Sequence, residues 1–179
     1  ALAMNLRRLT MGALLVAAGI ILPMMFHAVG MGKVFLPMHI PVLLAGFMVG
    51  PVIGGLVGFL TPLLSAVLTG MPPLMPPIAQ TMMIELAVYG AATGLCYRNT
   101  KLSPAPCLLS AMAAGRIVYG LLGAFILPMF GFEKIAVIYP ITYGVLGSLP
   151  GILIQLAVIP PLVYGLEKTR LPIFVREGR

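Results

Sequence analysis

The feature that most constrains this chain is missing charge. Residues 9–26 carry no ionisable side chain, and comparable apolar stretches recur at 9–29, 35–49, 51–69, 76–97, 106–129 and 140–166, separated by Gly, Pro or charged residues. A backbone in hydrocarbon must satisfy its own hydrogen bonds, so stretches of this kind read as helices, each needing about 20 mostly apolar residues to cross a bilayer. Only 8% of the chain is charged and 60% is hydrophobic, with a mean hydropathy of +1.10. A soluble domain would carry about a quarter charged residues. The expected fold is an all-α integral membrane protein of about six transmembrane helices, a single transmembrane domain over residues 1–179 in a cell membrane, with no soluble appendage.

Two points decide the count of six. The stretch 35–69 is too long for one crossing, and Pro51 after Gly50 removes a backbone donor and disfavours helix at the preceding residue, which predicts a tight turn there. Cytoplasmic loops collect Lys and Arg. Six spans with the N-terminus and C-terminus inside place Arg7, Arg8, Arg98, Lys101, Lys168, Arg170, Arg176 and Arg179 in the cytoplasm, Lys33 and Lys134 outside and Arg116 within a span. Five spans would expose the basic 98–101 loop and the basic C-terminus. Arg7 and Arg8 before the first run resemble a secretory signal, but the run is longer than a signal core and no small-residue cleavage site follows, so it reads as the first span.

The same inventory excludes several functions. The net charge of +7 does not mark a nucleic-acid surface, because the basic residues punctuate apolar runs rather than lining one face. Cys96 and Cys107 form no CxxC pair, and both lie by the basic loop on the expected cytoplasmic side, where a structural disulfide is disfavoured. The chain has no Asp and no HExxH, GxSxG or GxxxxGK[ST] motif. No catalytic residue, cofactor or ATP site is expected. His27 and His39 are too few for a metal site, and the thirteen Met residues follow the apolar pattern of soft packing.

Glu85 and Arg116 are the charged residues deep inside spans, in the fourth and fifth. Their midpoint falls in the 98–103 loop, so an antiparallel hairpin brings them to the same depth, roughly 20 Å from that loop. A charge there is costly unless paired or hydrated, which leaves two readings: an ion pair joining two helices, or the wall of a solute cavity. Thr81, Glu85 and Tyr89 form one helical stripe, and Arg116 and Tyr119 share another face. Gln155, with Tyr139 and Tyr143 at the outer end of the sixth span, could complete the wall. The first external loop, 28–40, contains His39 among flexible and stiff positions suited to a lid, and the proline-rich 70–77 loop reads as a stiff rim. Small residues repeat every four positions at Gly46, Gly50, Gly54 and Gly58 and at Ala13 and Ala17, a spacing that lets helices approach closely, within the chain or against another subunit.

Six short spans, Ala13-xxx-Ala17, FLPMHIPVLLAGFMVGP at 35–51, GxxxGFLTPLLSAVLTGMPP at 54–73 and GRIVYG at 115–120 together resemble the substrate-binding S components of energy-coupling-factor (ECF) vitamin transporters. The resemblance covers nearly the whole chain. It implies a vitamin captured from outside, docking on a transmembrane scaffold subunit with two cytoplasmic ATPases, Ala13 and Ala17 on the docking face, and a loop with His39 closing over the solute. It implies a pocket built largely from spans four to six, where Glu85, Arg116 and Tyr119 already fall. Arg116 suits a carboxylate such as that of pantothenate or nicotinate. If Glu85 neutralises it, a basic or pyrimidine-type precursor becomes as plausible. Two other classes stay open: an autonomous secondary transporter with Glu85 as coupling site, although no inverted repeat is visible, and a non-transport membrane scaffold.

Overall fold

The computed structural model describes residues 2–31, 35–134, 136 and 138–169, without the side chains of 2–4 and 143. Every regular element among them is helical. The helices are α1 (Leu2–Ala28), α2 (His39–Val49), α3 (Pro51–Thr69), α4 (Ile78–Asn99), α5 (Pro104–Leu121), α6 (Ile138–Gly147) and α7 (Leu149–Lys168). Helix α5 runs on through a π-helical turn, Leu122–Ile126, into Leu127–Met129. That widened turn immediately precedes Pro128, which has no N–H to donate one turn back and whose ring crowds the carbonyl there.

Four helical segments are long and apolar enough to cross a membrane: Asn5–Ala28, Pro51–Thr69, Pro104–Met129 and Leu149–Lys168. The other two expected spans differ in instructive ways. Helix α2 has 11 residues, about 16 Å of rise, and so does not cross the hydrocarbon alone. All of it except Ile40 is buried, and Val42, Leu43 and Phe47 have no exposed surface. Helix α4 is 22 residues long but is not among the apolar four, because Gln80, Thr81, Glu85 and Tyr89 dilute it. It packs against α2, α3 and α5, so protein surrounds Thr81, Glu85 and Tyr89, whereas Gln80 is exposed.

The turn expected at Gly50 is present. Gly50 sits between α2 and α3 at φ 97, a conformation that favours glycine, and Pro51 occupies the first turn of α3. The expected sixth span, 140–166, is by contrast two helices, α6 and α7, parted at Ser148. Pro150 lacks an N–H, and the Ser148 hydroxyl donates to the Gly144 carbonyl at 2.6 Å, which closes the end of α6.

The glycine spacing serves contact inside the chain. A Cβ on Gly54 would lie 2.6 Å from the Gly90 carbonyl oxygen and 2.8 Å from Gly46 Cα, and Gly58 abuts the Leu86 backbone. Helices α3 and α4 therefore meet backbone to backbone. Thr93 seals the seam to α2 by donating to the Leu43 carbonyl at 3.3 Å. Helix α1 joins through Gly12 and Gly19, whose added Cβ atoms would meet Ile53 at 2.9 Å and Thr61 at 2.5 Å. Ala13 and Ala17 face away from this seam and are exposed. At the other end of α4, Tyr97 packs edge-on against Phe47 and its hydroxyl donates to the Glu167 carboxylate near the end of α7.

Candidate functional site

A polar cluster forms where α4 and α5 face each other. Arg116 Nη1 lies 3.4 Å from Glu85 Oε1, with 16% and 7% of their side chains exposed, so the depth-matched pair does meet. Tyr89, one turn along α4, donates its hydroxyl to the same Glu85 oxygen at 3.0 Å. Arg116 Nη2 donates to Ser148 Oγ at 3.2 Å, and a Cβ on Gly144 would lie 3.6 Å from Nη1. The break between α6 and α7 thus supplies the hydroxyl and the open backbone against which the guanidinium rests. Gly115 is the matching device on α5: a Cβ there would lie 2.6 Å from Tyr89 Cε1, so glycine leaves room for the ring.

His39 departs from expectation in its position. It is the first residue of α2 and is 5% exposed, not part of an open loop. Leu36, Pro37 and Met38 lead into that helix and pull the histidine inward, where its ring centroid lies 5.2 Å from that of Tyr89. Its Nδ1 is buried and has no hydrogen-bond partner among the described residues. Gln155 of α7, 1% exposed, donates from Nε2 to the Leu36 carbonyl at 3.5 Å. Leu36 itself holds φ 47, rare for a side-chain-bearing residue.

Three cavities meet at Leu36 and His39. One of about 260 Å³ is walled by Thr81, Glu85, Arg116 and Tyr119. A second, of about 310 Å³, is bounded by Tyr89, Arg116 and Gln155 with apolar residues of α5 to α7. The third, of about 450 Å³, lies under the proline-rich loop, between Met71, Pro72 and Pro73 on one side and Pro23 and His27 of α1 on the other. That loop is tied down as a rim by Ser65, which donates to the Met71 carbonyl at 2.7 Å, and by Gln80, which donates to that of Leu74 at 3.1 Å.

Seven of the eight expected solute-contacting residues therefore converge. Thr81, whose hydroxyl donates to the Pro77 carbonyl at 2.7 Å, lines the cavity of about 260 Å³. The side chain of Tyr143 lies outside the described residues, and Tyr139 is 53% exposed. Ser148 and Leu36 were not anticipated. Ser148 carried a legible signal, because Pro150 just beyond it marks a helix boundary by the same rule that located the turn at Pro51. Leu36 carried none. Among the described residues no three His, Cys, Asp or Glu side chains gather as metal ligands would.

The family model for the ECF transporter, substrate-specific component, matches residues 7–166, a span that contains the whole cluster and both α1 alanines. No curated protein and no solved structure matches the chain.

Proposed function

The chain belongs to the family of ECF transporter substrate-specific components, and from that membership we propose that it captures a vitamin or vitamin precursor at the outer face of the cell membrane for uptake. The observation that carries the reading is the convergence of Glu85, Arg116, His39 and Gln155 on connected cavities within an otherwise apolar bundle. Buried ionisable groups in lipid are expensive, and cavities beside them give that cost a purpose beyond joining helices. The protein acts by binding and carriage, not by catalysis.

The chain crosses the membrane six times with both termini cytoplasmic. In this topology the 70–77 rim and the approach to His39 lie on the outer side, so the cavities open toward the incoming solute. Energy comes from outside the chain: a transmembrane scaffold subunit, driven by two cytoplasmic ATPases, receives it on the α1 surface bearing Ala13 and Ala17, which is exposed and turned away from the glycine seam. Native mass spectrometry of the protein purified from its own cells tests the reading. A retained vitamin-sized molecule with copurifying ATPase subunits is expected. Recovery of the intact protein with neither a bound small molecule nor an ATPase partner would refute it.

A further inference from the structure

One wall of the cavity of about 310 Å³ is helix α6. Ile141 and Val145, one turn apart, line it together with Ile152 of α7, whereas Ile138, Thr142 and Leu146, at the same spacing, are exposed. The wall there is one helix thick and thinly attached. Helix α6 has 10 residues and packs chiefly against α5, with little of it against α7. Its backbone does not run on into α7, because Pro150 has no N–H to give the preceding turn. Gly147 leaves the bend uncrowded, since a Cβ there would meet nothing within 4 Å.

Ser148 fastens this bend to α5. A hydroxyl has one proton, and that of Ser148 goes to the Gly144 carbonyl at 2.6 Å, so its lone pairs are left to accept from Arg116 Nη2 at 3.2 Å. Glu85 in turn holds the guanidinium from α4 at 3.4 Å. The levers about Pro150 are unequal. At 1.5 Å per residue Ile138 lies roughly 18 Å from it and Ser148 roughly 3 Å, so a rotation of roughly 20° moves the far end by about 6 Å and Ser148 by about 1 Å. A further 1 Å takes the contact at 3.2 Å beyond hydrogen-bonding range. Opening α6 therefore breaks this bond, and the bond opposes opening.

We propose that α6 is a door to the cavity, pivoting at the break before Pro150 and latched shut by the hydrogen bond from Arg116 to Ser148. This rests on the reading of the cavities as the solute site and gives them a route of entry. The door itself is tested without solute. The full chain in detergent micelles is treated with the thiol reagent methanethiosulfonate ethyltrimethylammonium, and modification is read residue by residue by mass spectrometry, so the native Cys96 and Cys107 do not interfere. Met112→Cys places a thiol on the α5 wall of this cavity, and Met82→Cys places one on the wall of the other two. Ser148→Ala should raise the rate at position 112 by about tenfold and leave that at 82 within about twofold. Ser148→Thr, which keeps the hydroxyl, should stay near the parent rate. An unchanged rate at 112, or an equal rise at both positions, overturns the door. If Ser148→Ala does not fold, hydrogen exchange of the unaltered chain decides instead. Amides of 141–147 should exchange at least about tenfold faster than those of 153–166, and equal protection overturns the door. Failure of the door leaves the carriage reading standing, because native mass spectrometry judges that separately.

Discussion

Replacing Arg116 with Leu removes the one Lys or Arg that pairs with Glu85 among the described residues. At 3.4 Å and an effective dielectric of about 20, the attraction lost is about 5 kcal/mol before any return from dehydration. The variant strands a carboxylate that is 7% exposed and keeps only the Tyr89 hydroxyl at 3.0 Å. Breaking buried pairs in this way costs about 3–5 kcal/mol, and the surviving hydrogen bond places the expected loss near about 3 kcal/mol. The double change Glu85→Leu with Arg116→Leu leaves no buried charge and should return to within about 1 kcal/mol of the parent, a coupling energy of about 2 kcal/mol or more. Unfolding of detergent-solubilised protein by added SDS measures all three variants against the parent. Losses that simply add, with the double variant at least as unstable as Arg116→Leu, would refute the pairing argument. Solute titration on the same samples adds a second reading: a stable double variant with unchanged affinity would remove the pair from the binding site.

Leu at Ala13 and Ala17 should leave solute binding unchanged and abolish uptake, because these positions face away from the glycine seam; loss of binding in folded protein, read by titration, would place them in the core. Gly54→Ala should destabilise by about 1–3 kcal/mol because its Cβ would meet backbone that cannot yield, whereas Gly147→Ala, with nothing within 4 Å, should be near neutral by the same SDS assay. Gly115→Ala should weaken solute binding more than it lowers stability, because it pushes on the Tyr89 ring beneath His39; titration and unfolding on one sample separate the two effects. Cysteines introduced at Lys33 and Lys101 should label from outside intact cells at the first position only, and the reverse pattern would invert the proposed topology.

What the sequence revealed followed from local rules and from depth. Pro51 after Gly50 marked a break because proline acts on its immediate neighbours, and the break is there. Glu85 and Arg116 could be paired from their equal distance to one loop, since a hairpin of two helices converts sequence separation into depth. The sequence was silent where contacts join distant segments. Gln155 reaches Leu36 across a sequence separation of 119 residues, and Ser148 meets Arg116 only because α6 folds back beside α5. His39 was read as part of a lid because it follows glycines and a proline, yet helix α2 starts at this residue and buries it. The pattern of a fully buried short helix and that of a short span are alike, because both are apolar on every face, so the apolar character of 35–49 was legible, but its start at His39 and its failure to cross alone were not.

The diluted apolarity of α4 also bears on how the protein is made. A charged residue at the centre of a single helix costs roughly 2.5–3.5 kcal/mol during insertion from the translocon, and α4 carries Glu85 there. Its route into lipid therefore depends on company: the glycine seam with α3 is available as soon as α4 is synthesised, but the cation that balances Glu85 arrives only with α5. A nascent chain ending after Asn99 should leave α4 poorly integrated, and synthesis through Arg116 should complete its insertion. The order of helices along the chain, with the acidic one released before its basic partner, makes the membrane insertion of this site a two-step assembly.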